Sequence, residues 1–228
     1  MTNQENPLTS DSPEGLEARN PPAPTVTVTT KQARSALSTR RLLDAAAELI
    51  AEVGLNNTTL AMIGERAGYS HGLVTRRFGS KEGLLMALVD RMSIGWFETY
   101  VSPEIDKATG IEALRIRISA IRRGWEISPR RMRALYALMF EGAVQPIPAL
   151  REQMRHLHAV ALGSTADAVR RGIEDGTILP KADPDATARF ITSALRGVGY
   201  QALLVPDQVD VFDAMDDIVA YIETLAAD

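Results

Sequence analysis

Cysteine is absent from the 228 residues, which excludes a disulfide framework, a thiol nucleophile and Cys-ligated zinc. Histidine is scarce as well: His156 and His158 stand i, i+2 on diverging helix faces and His71 lies in another segment, so no metal site is expected. No run approaches the roughly 18 apolar residues of a membrane helix. The N-terminus lacks a basic-then-apolar signal pattern, and a cytoplasmic protein without a membrane partner is expected. A Gly-x-Ser-x-Gly elbow and a phosphate-cradling glycine loop are both missing, and Gly197-Val198-Gly199 lacks the strand and third glycine of a dinucleotide site. Neither a catalytic constellation nor a cofactor is therefore expected. Positive charge is missing from the far end: no Lys or Arg follows Arg196, whereas Asp207, Asp210, Asp213, Asp216, Asp217, Glu223 and Asp228 do.

What is present is ample apolar material, 45% of residues, at helical spacing. Met1 to about Ala36 is the exception. Pro7, Pro13, Pro21, Pro22 and Pro24 punctuate it, so 1–36 is expected to be a loose arm. Ser38 to Val53 predicts a first helix with Leu42, Ala46, Leu49, Ile50 and Val53 inward and Gly54 at its end.

The most informative stretch follows. Thr58 or Thr59 can cap a helix carrying Leu60, Ile63 and Ala67 on one face, and Gly68 supplies the positive φ at which it stops. Ser70 caps a second helix whose Val74 and Phe78, spaced i, i+4, point back onto the first. His71, Gly72, Leu73, Thr75, Arg76 and Arg77 are left largely on other faces. From Arg66 to Lys81 there are four cations and no carboxylate, although the chain as a whole carries a net charge of −4. Free N–H groups at the helix starts near Ser70 and Ser80-Lys81 can hold phosphates. This is the helix-turn-helix arrangement, whose second helix enters the major groove while its neighbours hold the backbone.

At Thr58-Thr59, Ala67-Gly68-Tyr69-Ser70, Gly72, Phe78, Ser80-Lys81-Glu82 and Leu84-Leu85 the chain resembles the TetR family of bacterial transcriptional regulators. The resemblance implies an all-α protein: a DNA-binding three-helix domain over 37–84 and a helical ligand-sensing and dimerisation domain over 85–228. It departs at Thr75, where the family usually has a phosphate-contacting Tyr, and at Arg76 and Arg77, where His or an aromatic is common. Arg adds bidentate hydrogen bonds to guanine. Leu73, Thr75, Arg76, Arg77 and His71 are assigned to bases or adjacent backbone, and Thr59, Ser70 and Lys81 to phosphates, with Gly72 in the same surface.

Beyond this unit, Lys81 to about Tyr100 predicts a long connecting helix. Ile111, Leu114, Ile118, Ile121 and Trp125 form the stripe of another, with Arg115, Arg117, Arg122 and Arg123 on a solvated face. Pro129 opens a nearly apolar helix to Gly142, and Ala149 to Asp175 a longer one. Asp183-Pro184-Asp185 is a well-formed start for the next, and a last helix runs from about Gln208. The family resemblance implies that these last two meet their two-fold copies in a homodimer.

Trp96, Tyr100, Trp125, Met132, Met139, Phe140 and Met154 are candidates to line an adaptable apolar cavity, with Glu141, Gln145 and His156 to orient a ligand. The expected function is a repressor released from a palindromic double-stranded DNA operator by a small, largely apolar effector. An activator or a protein-partner-regulated DNA binder would share the fold, and a helical enzyme is the remote alternative.

Overall fold

The computed structural model describes residues 30–94, 105, 107–144 and 147–227. Nine α-helices run through them: α1 Thr30–Asn57, α2 Leu60–Ala67, α3 His71–Phe78, α4 Lys81–Val89, α5 Gly110–Ile127, α6 Pro129–Val144, α7 Pro148–Glu174, α8 Pro184–Leu204 and α9 Val211–Glu223. A π-helical turn, Asp90–Ile94, extends α4. The rest of the connecting helix expected to reach Tyr100 falls outside the described residues. Among them there is no strand, and a lone bridge between Ile178 and Ala226 ties the α7–α8 turn to the end of α9.

The start of α1 differs from expectation. Helix begins at Thr30, two turns before Ser38, because the chain over Thr30–Leu37 has a tertiary partner. Arg77 of α3 donates to the Ser35 carbonyl at 2.9 Å, to Ser35 Oγ at 2.8 Å and to Thr39 Oγ1 at 2.5 Å. Of the arm expected over 1–36, residues 1–29 are not described. Gly54 breaks the helix as expected, at φ 81 and ψ 164, and one more turn carries the chain to Asn57.

Two cores form. The first joins Leu42, Ala46, Leu49 and Ile50 of α1 to Ile63 of α2, Val74 of α3 and Leu84, Leu85 and Leu88 of α4. It does not stop there: Ala134 and Leu138 of α6 and Leu150 of α7 are buried in the same cluster. The second unites Leu114, Ile118 and Trp125 of α5, Tyr136 of α6, Ala168 and Val169 of α7, Ile191, Leu195 and Val198 of α8, and Met215, Ile218 and Ile222 of α9. Helix α6 thus presents Ala134 and Leu138 to the first core and Tyr136 to the second, two faces of one rod.

The arginines of α5 depart from a uniformly solvated face. Arg115 pairs with Glu223 and Arg122 with Asp216, both on α9, at 2.7 and 2.5 Å. Arg117 turns inward, donating to Ser164 of α7 at 2.7 Å, and burial pushes its pKa down to about 10. Asp183 caps α8 by accepting from the Asp185 and Ala186 amides, and Asp210 caps α9, which starts slightly later than Gln208 suggests.

Candidate nucleic-acid interface and its link to the sensor

Three consecutive helix starts build the reading head, each capped by a hydroxyl. Thr59 Oγ1 accepts from the Met62 amide at 3.2 Å, Ser70 Oγ from Leu73 at 3.3 Å and Ser80 Oγ from Gly83 at 3.1 Å. Of the two threonines that the sequence leaves open, Thr59 is the cap. Thr58 is buried and donates back to the Gly54 carbonyl at 2.8 Å. Gly68 closes α2 in the left-handed region, φ 76, and the Tyr69 amide returns to the Gly64 carbonyl at 2.7 Å. The turn is thereby fixed, and with it the angle between α2 and α3.

Val74 is wholly buried and Phe78 partly, so α3 is held by the i, i+4 pair that its spacing predicts. His71, Gly72, Thr75 and Arg76 are exposed on the same helix, with Leu73 half-buried beside them. The His71 and Thr75 side chains meet at 3.5 Å, one turn apart. Arg76 makes no hydrogen bond or ion pair among the described residues, so its five donors stay available to an outside partner.

Two expected contacts are committed elsewhere. Arg77 is spent on α1, as described above. Lys81, assigned to a phosphate from sequence, instead points back under the α1–α2 loop, its Nζ donating to the Leu55 carbonyl at 2.6 Å and the Asn56 carbonyl at 3.5 Å. Burial lowers its pKa, with the Glu141 carboxylate opposing that shift. Arg66 is likewise occupied by Glu52 at 2.8 Å and Glu48 at 3.4 Å, the hydrogen bond to Arg66 holding the Glu52 carboxyl below its usual range. The exposed cation facing away from the scaffold on α3 is therefore Arg76.

The residues grouped as a ligand pocket from sequence separate in space. Trp125, Met132, Met139 and Phe140 belong to the sensor core, but Met154 packs on the head cluster and His156 is exposed. Glu141 leaves the group too: its Oε1 accepts from the Leu55 amide at 3.4 Å, so the sensor helix α6 grips the same residue whose carbonyl Lys81 holds. Trp96, Tyr100 and Gln145 lie outside the described residues. An aromatic series does run through the sensor. Trp125 stacks on Tyr136 at 5.9 Å, Tyr136 on Phe140 at 6.3 Å, and Phe140 meets Tyr200 edge-on at 5.7 Å.

Tyr136, Arg196 and His158 are absent from the sequence-derived group. Arg196 Nη1 contacts His158 Nδ1 at 2.5 Å across α8 and α7, and the Tyr136 hydroxyl donates to the Leu195 carbonyl at 3.2 Å. One signal was there to be read: Arg196 is the sole charged residue between Phe190 and Val205. A 250 Å³ groove between the α5–α6 corner and the α8–α9 loop is lined by Trp125, Pro129, Ala202 and Phe212. No described residues form a cluster able to hold a metal ion, and no described helix is long and apolar enough to cross a membrane.

Comparison with known proteins agrees with this geometry. Residues 42–88 match the model of the bacterial regulatory proteins of the tetR family, and residues 112–227 match that of the BetI-type transcriptional repressor, C-terminal domain. The HTH-type transcriptional regulator BetI 1 of Chromohalobacter salexigens is 27% identical over 188 residues, covering 81% of this chain and 88% of that protein. Among solved structures, SmeT in complex with triclosan, from Stenotrophomonas maltophilia, superposes with a TM-score of 0.66 at 26% identity, covering 84% of this chain and 92% of that one. A regulator from Saccharomonospora viridis in complex with choline gives a TM-score of 0.64 at 20% identity, over 85% of this chain and 99% of that one. The capped tri-helical head and the helical bundle behind it are thus those of the TetR family, to which this chain belongs as a DNA-binding transcriptional regulator with a BetI-type C-terminal domain.

Proposed function

We propose that the protein is a homodimeric cytoplasmic repressor that holds an approximately palindromic operator through two copies of α3 and lets go when a small molecule occupies the sensor. The observation that carries this reading is the outward face of α3. Val74 and Phe78 anchor the helix, while His71, Thr75 and Arg76 stand exposed with no carboxylate nearby in sequence. Such a face suits base edges in a major groove, with Leu73 placed against a thymine methyl and Gly72 allowing close approach. The helix starts at Thr59 and Ser70 offer amides to phosphates.

Repression as the sign of control is supported by the match to a repressor-type C-terminal domain. Release by a small molecule is supported by the groove lined by Trp125, Pro129, Ala202 and Phe212, beside which the aromatic series from Trp125 to Tyr200 is packed. The relatives' ligands, triclosan in one and choline in another, differ in charge and size, so they support a small effector without selecting one. Two-fold pairing through α8 and α9 is supported by an apolar stripe at seven-residue spacing on α8, in which Phe190 and Leu204 are exposed and Gly197 between them is half-buried.

Selection of bound duplexes from a random pool tests these points together. Enrichment of an inverted repeat is expected, with half-sites separated by about one helical turn. Enrichment of a single asymmetric half-site, or of nothing above background at about 0.15 M salt, removes the proposal. A promoter–reporter assay on the enriched sequence then reads the sign of regulation.

A further inference from the structure

We propose that the effector carries a carboxylate and that Arg196 of α8 is its counter-charge, an inference that rests on the ligand-released reading above. Several arginines of this chain are given opposite partners. Arg66, Arg91, Arg115, Arg122, Arg131 and Arg170 all pair with Asp or Glu, mostly at the surface where such pairs contribute least. Arg196 is not among them. It is half-buried between α6, α7 and α8, where desolvation disfavours a charge, and no carboxylate among the described residues reaches it.

Among the described residues its one hydrogen-bond contact is His158 Nδ1. A ring nitrogen accepts only when unprotonated, so His158 is held neutral here, and a planar fork of five donors is met by a single lone pair. The site therefore keeps a full positive charge. The planar partner that satisfies a guanidinium fork is a carboxylate, through two parallel hydrogen bonds.

The surroundings complete the description of the ligand. Tyr136 lies beside Arg196, its hydroxyl tied to the carbonyl of the preceding residue, and its ring continues into Trp125 on one side and Phe140 on the other. Tyr200, one turn along α8 from Arg196, closes the series against Phe140. An acid with a flat or apolar body matches this arrangement. The position also reaches the reading head, because the α6 segment bearing Tyr136 places Ala134 and Leu138 in the head core.

Three probes sharing one ring and chain test the charge: 3-phenylpropanoate, 3-phenylpropan-1-ol and 3-phenylpropyltrimethylammonium, titrated calorimetrically into the full-length protein. The carboxylate is expected to bind at least about tenfold more tightly than the alcohol, with the ammonium weakest. Arg196→Gln is expected to erase that preference and Arg196→Lys to retain part of it. An alcohol or ammonium that binds as well as the acid overturns the proposal. So does the absence of binding by all three, or an Arg196→Gln protein that still prefers the acid. Dissociation of a labelled operator, followed by anisotropy in the same samples, separates the two readings. Acid-selective binding without release leaves the Arg196 site standing and removes the ligand-released repressor.

Discussion

Replacing Arg76 with alanine is expected to weaken specific binding by about 1–3 kcal/mol and to relax selectivity at one base step, measured by competition among single-base operator variants. Lys81→Ala should behave differently. A lysine neutralising a phosphate contributes about one unit to the slope of log affinity against log salt, but Lys81 is already turned to the Leu55 carbonyl at 2.6 Å. The slope is therefore expected to stay unchanged while thermal stability falls. A slope reduced by about one would return Lys81 to the DNA. His158 yields a pH prediction. Burial first, and then the neighbouring Arg196 charge, lower its folded pKa below the ordinary 6.5. The unfolded chain thus binds the proton more readily, and the stabilisation, complete above pH 6.5, declines as pH falls below it. His158→Gln is expected to flatten that part of the stability–pH curve in chemical denaturation. At this scale the caps were legible in the sequence, to within the choice between Thr58 and Thr59, because Thr59 and Ser70 bond amides three residues away. Lys81, Arg77 and Glu141 were not, since the direction of a long side chain is set by a loop or helix distant along the chain.

Between elements, the α2–α3 angle depends on close approach at Gly64. A Cβ there would lie 2.8 Å from the Tyr69 carbonyl oxygen and 3.2 Å from Val74 Cγ2. Gly64→Ala is expected to destabilise the protein by about 1–3 kcal/mol and to lower operator affinity, read by denaturant melts and anisotropy. Gly72→Ala makes the contrast, because nothing lies within 4 Å of its Cβ position and helix propensity favours alanine by up to about 1 kcal/mol. Unchanged or raised stability with weakened DNA binding is the expected pair of results. Helix boundaries were legible where punctuation is local: Gly54, Gly68, Pro129 and Asp183-Pro184 all act where the sequence places them. The early start of α1 was hidden because Thr30–Leu37 carries no apolar stripe. What fixes it is Arg77, reaching across from α3.

For the whole molecule, Gly197 offers a clean test of pairing. Space is open around it on α8, so Gly197→Glu should leave the folded protomer intact while placing a charge in the middle of the Phe190–Leu204 stripe. Sedimentation is expected to show a single subunit, and operator affinity to fall by at least about tenfold as the two heads lose their linkage. A dimer that survives the substitution would place the two-fold contact elsewhere. All-α architecture and the order of head and sensor were open to a reader of the sequence. The sharing of one hydrophobic cluster between them was not, because Ala134 and Leu138 carry the same periodic signal whichever neighbour they face. That sharing bears on how such regulators can be recombined. A chimera cut after α4 would strip α1 of its packing against α6 and α4 of its packing against α7, so any exchange of specificities with a relative has to transplant the sixth helix as well. On the function proposed here, operator and effector preferences are inherited together, because the two cores meet on one helix.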